Sequence, residues 1–419
     1  MQEDVPPNVV IILADDLGIE CLSAYGGKSH KTPNIDRLAS QGMRFTHCFS
    51  NPLCSPSRAS LLTGRYPFKN GLKVVIYDEK NHAETRLRPE EPSFARQLKQ
   101  TGYATAIAGK WQLEFLHQRN NVNAFGFDEY QLWQSFRDDK SKTRRFHQPY
   151  FNQNGTVIAE DIRDKYGPDV NVDFLIDFMK KSAEKDQPFL AYNTSLLPHF
   201  PWVPTPDSAN QSYQLPHASH KGDPKYFPDM VSYLDKTVGR IMDAVDDLGI
   251  ADNTVLFFLA DNGTQIPLEN VWGDGKVIRG GKGTMTDRGT HVPLIVRWPG
   301  HIEAGSVCDD LIDFSDLHPT LCQLTGAPLP EDSIHGKSFV EQLLNVPVTA
   351  REWVHVQNAE DRHIRDMEYI LNNKDELRPV VEIWEEPAAP NQKKCPEKEA
   401  AARRKLQTVF DRLGNSNGA

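Results

Sequence analysis

The residues best able to do chemistry lie in the stretch 51–65, NPLCSPSRASLLTGR. A single cysteine, Cys54, is followed there by Pro56, Arg58, Leu62, Thr63, Gly64 and Arg65. Pro56 suits the first turn of a helix, where backbone N–H groups and the helix dipole favour negative charge. Arg58 falls one turn beyond Cys54 and adds a fixed cation. A lone cysteine beside a proline-capped helix is ordinarily a packing residue. The residues themselves leave a packing and a reactive reading of Cys54 both open.

A second set is made only of oxygen donors: Asp15, Asp16, Asp261 and Asn262. It suits a hard cation, calcium or the more tightly coordinated magnesium, whereas zinc would recruit histidine or thiolate. Three carboxylates gathered without a cation would repel one another and push one pKa upward. Separate aspartates capping turns are the bland alternative. Three further polar groups stand in compact motifs: Lys110 in Gly109-Lys110-Trp111, His199 in LPHFPWVPTP and Lys282 in RGGKGT.

The elements that must position these groups are strands. Residues 8–13 (NVVIIL) form a continuous β-branched apolar run, as expected of a strand buried on both faces, and end in Asp15-Asp16. Residues 254–260 (TVLFFLA) end in Asp261-Asn262. Residues 103–108 end in the Lys110 motif, and 188–195 run out toward His199. The carboxyl edge of a parallel sheet is where α/β folds bind ligands. Four such endings predict one crevice. Amphipathic helices are expected over 34–42, 92–102 and 228–249, all three closing at glycine, and the apolar face of the last reads as core. Beyond about residue 344, short strands at 352–357, 369–372 and 379–384 precede a helix over 397–413.

With these motifs on the page, the chain resembles the type I, formylglycine-dependent sulfatases of the alkaline phosphatase superfamily, over most of its first 345 residues. The resemblance implies an α/β fold: a large mixed, mostly parallel sheet sandwiched by helices over 1–345. A small C-terminal antiparallel-sheet subdomain with a packing helix is expected over 346–419. It further implies that Cys54 is oxidised to formylglycine by a formylglycine-generating enzyme. Calcium (or magnesium) would be held by Asp15, Asp16, Asp261, Asn262 and the modified Cys54. Arg58 would orient that residue, Lys110 and Lys282 would bind the sulfate, and His199 would meet the leaving-group oxygen. One hydroxyl of the aldehyde hydrate would attack sulfur, and the other would collapse the sulfated intermediate.

Two positions depart from the commonest family pattern. Gln112 stands where a histidine usually follows Gly-Lys-Trp, and glutamine keeps a hydrogen bond but accepts no proton near neutrality. His291 stands in Gly289-Thr290-His291-Val292-Pro293, where arginine is common, and is a packing residue or a substrate contact. Gln112, His291 and Trp202 are therefore the candidates for substrate contact or proton relay. Trp272 and Arg279 are further candidates for sugar stacking, and the cluster Lys140, Lys142, Arg144 and Arg145 near Trp133 and Phe136 is either a solvated loop or a substrate lip. His217 and His220 read as loop residues.

Composition bounds the alternatives. The net charge of −10, with no block of lysine or arginine, excludes a nucleic-acid footprint. No apolar run is long enough to cross a membrane. Six cysteines, Cys395 among them, are too scattered for a disulfide framework. The expected substrate is a sulfated small molecule or glycan. The resemblance favours an exported protein, periplasmic or extracellular, whose signal peptide has been replaced by Met1. A phosphate or phosphonate ester hydrolase of the same superfamily, and an inactive binder of anionic glycans, are the competing readings.

Overall fold

The computed structural model describes residues 6–209, 221–331, 334–386 and 397–415. His217, His220 and Cys395 lie outside the described residues.

The first eight strands in chain order are β1 (Asn8–Ala14), β2 (Met43–Phe49), β3 (Ala104–Gly109), β4 (Glu129–Trp133), β5 (Phe151–Gln153), β6 (Thr156–Val157), β7 (Phe189–Thr194) and β8 (Thr254–Ala260). The next four are β9 (Glu269–Trp272), β10 (Lys276–Arg279), β11 (His291–Arg297) and β12 (Ser306–Asp313). Ten of them form one sheet in the order β12-β2-β11-β8-β1-β7-β3-β4-β5-β6, while β9 and β10 make a separate hairpin. At its centre β1 lies parallel to both β7 and β8, and β3 lies parallel to β7 and β4. Every residue of β1, β7 and β8 is buried, which is why their sequences run apolar without alternation. Antiparallel β11 bridges β8 to β2, and the β4–β5–β6 edge is also antiparallel, so the sheet is mixed.

Helices flank this sheet in two groups. Pro33–Gln41, Gly167–Ala183 and Phe227–Asp247 pack together, with Asp235 accepting from the backbone N–H of Asn34 and Ile35. Cys54–Thr63, Phe94–Gln100 and Leu317–Thr325 form the second group. All ten residues of Cys54–Thr63 are buried. Gly64 ends that helix at φ 67, and its N–H donates to the Ser60 carbonyl.

The C-terminal part contains a four-stranded antiparallel sheet: β13 (Val354–Asn358), β14 (Asp361–Arg365), β15 (Tyr369–Asn372) and β16 (Leu377–Pro379). The helix Glu397–Asn415 buries Leu406, Val409 and Leu413 against Ile364, Leu371 and Leu377 of that sheet, together with Tyr66. The sequence expectation missed β14 and placed a strand over 379–384, where the chain instead turns after Pro379. Arg365 of β14 donates to both oxygens of Asp287 at 2.7 Å, tying the small sheet to the short helix Asp287–Thr290 that leads into β11.

Candidate active site

The carboxyl ends of β1, β3, β7 and β8 converge on the start of the helix Cys54–Thr63. Gly109 closes β3 at φ 116, and a Cβ there would lie 1.9 Å from the Thr194 carbonyl, so only glycine lets Lys110 leave the sheet at this point. Asp16 (φ 66) and Gln112 (φ 53) also adopt left-handed backbone angles beside the site, which is the sort of place where such conformations concentrate.

Cys54 is fully buried, and its Sγ lies 3.7 Å from Oδ1 of both Asp15 and Asp16. Burial, reinforced by Asp261, pushes its thiol up to about 12. The unmodified side chain is thus a neutral thiol and a poor nucleophile at neutral pH. Around it each acid meets a cation. Lys110 Nζ is 2.6 Å from Asp15 Oδ1, and Lys282 Nζ is 2.6 Å from Asp16 Oδ1. Arg58 places Nε and Nη2 each 2.8 Å from Asp261 Oδ2, and its Nη1 donates to Thr194 Oγ1 and the Lys110 carbonyl. Burial alone would lower the Lys282 pKa, but Asp16 and its neighbours carry it above the usual lysine range.

The donor set fits a hard cation. Asp15 Oδ2 and Asn262 Oδ1 are buried oxygens without a hydrogen-bond partner. Such orphans are costly unless an ion or water meets them. Ligand atoms of Asp15, Asp16, Cys54 and His199 lie within 4.8 Å of one another. Asp261 is the more engaged member, since its second oxygen accepts from the Asp16 backbone N–H at 3.1 Å.

Above this floor opens a cavity of about 500 Å³. Cys54, Gln112, His199 and Lys282 line it, with Trp133, Phe136, Phe146 and Phe200 as aromatic wall and Lys142, Arg144, Arg145 and Lys221 as cations. The basic cluster is therefore in part a lip of the cavity, Lys140 excepted. His199 turns Nε2 toward Asp16 Oδ2 at 3.6 Å, and burial holds its pKa well below the usual histidine value. Gln112 lines the cavity but donates from Nε2 to the Ile76 carbonyl at 2.8 Å.

Four candidates do not line the cavity. His291 points across the sheet, its Nε2 2.7 Å from the Thr46 carbonyl and its ring stacked on Phe49, and it does not line the cavity. Trp202 is 4% exposed and stands edge-on behind Phe200, and it is Phe200 that faces the cavity. Trp272 and Arg279 belong to the β9–β10 hairpin and also lie outside it. Conversely, the sequence read Arg145 only as one of a basic cluster forming a solvated loop or a substrate lip, and did not foresee that it is buried beside His199. Its only signal was membership of a basic cluster.

Comparison with known proteins agrees with this geometry. A sulfatase family model matches residues 7–327. Arylsulfatase A of Bos taurus is 32% identical over 88% of this chain and 74% of its own length. N-acetylgalactosamine-6-sulfatase of Mus musculus is 34% identical over 78% of this chain and 64% of its own. The crystal structure of Ps i-CgsB, also solved in complex with k-i-k-neocarrahexaose, superposes with a TM-score of 0.79 at 23% identity, over 97% of this chain and 92% of that one. The fold and the relatives lead to one conclusion: the chain belongs to the sulfatase family of sulfuric ester hydrolases.

Proposed function

We propose that the protein hydrolyses a sulfate ester of a carbohydrate, using a formylglycine derived from Cys54 and a calcium ion at the Asp15–Asp16 pair. The observation that carries this reading is the meeting of Cys54, three carboxylates and the cations Lys110, Lys282 and Arg58 at the floor of an aromatic cavity. Formylglycine and the cation, when present, supply an oxygen nucleophile and positive charge for an already anionic ester.

The chain's own residues do the rest. Asp15, Asp16 and Asn262 would hold the cation, with Asp261 kept in place by Arg58. Lys110 and Lys282 neutralise Asp15 and Asp16, and with a divalent ion held there their ammonium groups would be free to bind the sulfate. His199 offers Nε2 to the leaving oxygen. Trp133, Phe136 and Phe200 give the apolar faces on which a pyranose ring stacks. A sulfated saccharide agrees with these walls and with the neocarrahexaose bound by Ps i-CgsB. The maturation partner is a formylglycine-generating enzyme, and the working compartment is periplasmic or extracellular.

The test is expression with and without a formylglycine-generating enzyme, intact-mass measurement of Cys54 conversion, and quantitation of sulfate released from a panel of sulfated saccharides. Converted protein should release sulfate and unconverted protein should not. Faster turnover of matched phosphate esters by orders of magnitude, or conversion without any sulfate release, would overturn the proposal.

A further inference from the structure

Arg145 is an anomaly among the cations of the site. Arg58, Lys110 and Lys282 each pair with a carboxylate, yet no described carboxylate lies within ion-pair distance of Arg145, although it is 5% exposed. An uncompensated buried charge is expensive and calls for a reason. The guanidinium lies over the Trp133 ring, 4.5 Å from its centroid, with Phe146 beside it. One nitrogen, Nη2, donates to the Phe200 carbonyl and lies 2.7 Å from His199 Nδ1.

Guanidinium has only donors and stays charged in proteins. An N–H aimed at His199 Nδ1 therefore needs a lone pair there. The ring proton is then on Nε2, the nitrogen that faces Asp16 and the cavity. The opposite tautomer would let Nδ1–H donate to the Phe200 carbonyl, 2.6 Å away, where the first tautomer sets two acceptors side by side and leaves both to the Nη2 hydrogens, but it would set that hydrogen against the guanidinium. It would also turn a lone pair toward the Asp16 carboxylate.

We infer that Arg145 is a positioning residue: it fixes the His199 ring in the tautomer whose Nε2–H points at the place where the leaving oxygen departs. In this arrangement His199 stabilises that oxygen by donating a hydrogen bond. A donor on the leaving oxygen matters most when that oxygen is a strong base. Arg145 should therefore have its largest effect on alkyl and sugar sulfates, whose leaving alcohols are the most basic.

The first measurement needs no activity. In protein carrying unmodified Cys54 and selectively labelled histidine, the His199 ring carbon shifts, assigned by comparison with His199→Gln, report the tautomer. Wild type should show Nε2–H; Nδ1–H in wild type overturns the inference, whatever becomes of the variants. The second rests on the sulfatase reading and uses matured Arg145→Met, with Arg145→Gln should the first fail to fold. Against a series of aryl sulfates, kcat/KM should fall about 100-fold for phenyl sulfate and less than about 5-fold for a nitrophenyl sulfate. His199→Ala should show the same steep dependence, and the double variant should be no worse than His199→Ala alone. An equal loss across the series, or losses that multiply in the double variant, would show that Arg145 acts independently of His199. Absence of all turnover in matured wild type would instead count against the sulfatase reading and leave the tautomer measurement standing.

Discussion

Arg58 grips Asp261 through a single oxygen, with Nε and Nη2 each 2.8 Å from Oδ2, and both side chains are almost fully buried. The other Asp261 oxygen accepts from the Asp16 backbone, so the pair transmits the position of the Cys54 helix to the β1 loop. Removing one partner leaves the other charge buried and alone, which costs about 3–5 kcal/mol. Arg58→Ala should therefore lower stability by that order and abolish turnover. Arg58→Lys keeps the charge but not the fork. It should fold, keep a thermal midpoint closer to wild type, and lose most of kcat. Equal behaviour of the two variants in thermal unfolding would show that the Arg58–Asp261 geometry is incidental.

The cation reading makes a separate prediction that does not depend on maturation. Asp15 Oδ2 and Asn262 Oδ1 are the orphan oxygens of the site. A ligand that binds only the folded state stabilises it by about 2.7 kcal/mol at one hundred times its dissociation constant. Calcium added to chelator-stripped protein should raise the unfolding midpoint in a concentration-dependent way, and Asp16→Asn should remove most of that rise. Magnesium, which demands stricter octahedral geometry, should act more weakly. A midpoint indifferent to both ions would reject a resident divalent cation.

Much of this was legible in the chain, and the limits have physical causes. β1, β7 and β8 could be read because strands buried on both faces carry unbroken apolar runs, and their ends located Asp15, Asp16, Asp261 and Asn262. β14 could not, because DRHIR mixes charges with apolar residues and its register depends on β13 and β15. Trp202 was the more obvious aromatic beside His199, but local sequence does not say which of two neighbouring rings turns inward. Phe200 does. Arg145 was hidden for a stronger reason. Its partners are Trp133, His199 and Phe200, and the contact to His199 spans 54 positions of chain. His291 left packing and substrate contact both open in the sequence, and it is the tertiary contact with Thr46 that favours packing.

Several histidines make stability depend on pH in a defined direction. Burial lowers His291 and His318 to about 4 and His363 to about 3, against an ordinary 6.5. A depressed folded pKa means that the unfolded chain takes up protons first. The contribution is complete above pH 6.5 and is lost as pH falls from 6.5 toward 4. Asp316, raised to about 6 mainly by burial, works in the opposite sense between its ordinary 3.8 and 6, as do Glu20, Glu114 and Asp235, whose pKa values burial also raises, but the lowered histidines, His335 and His355 among them, outnumber these acids. The unfolding midpoint should drop on the order of 5 °C between pH 7 and pH 5. His318→Asn should flatten that slope, and an unchanged slope in this variant would show that His318 stays unprotonated in the unfolded chain as well or titrates normally in the folded one.

Gln112 stands where the family resemblance led to an expected histidine, and its geometry gives it a holding role. Its Nε2 donates to the Ile76 carbonyl, its own carbonyl accepts from Ser55 Oγ at 2.8 Å, and that same hydroxyl accepts from the Ile76 N–H at 3.0 Å. The three residues close a small ring that fixes the loop around Ile76 against the start of the Cys54 helix. Glutamine cannot accept a proton near neutrality, so it cannot serve as the base that a histidine here would be. Two substitutions separate these roles. Gln112→Ala removes the tether to Ile76 and should chiefly raise KM, since Ile76 and Tyr77 line the cavity. Gln112→His supplies a titratable ring beside Cys54 and should add a limb near neutral pH to the kcat profile of matured enzyme, absent from wild type. A wild-type profile that already shows that limb, unchanged in Gln112→His, would mean another residue of the chain performs the task and Gln112 is a tether only.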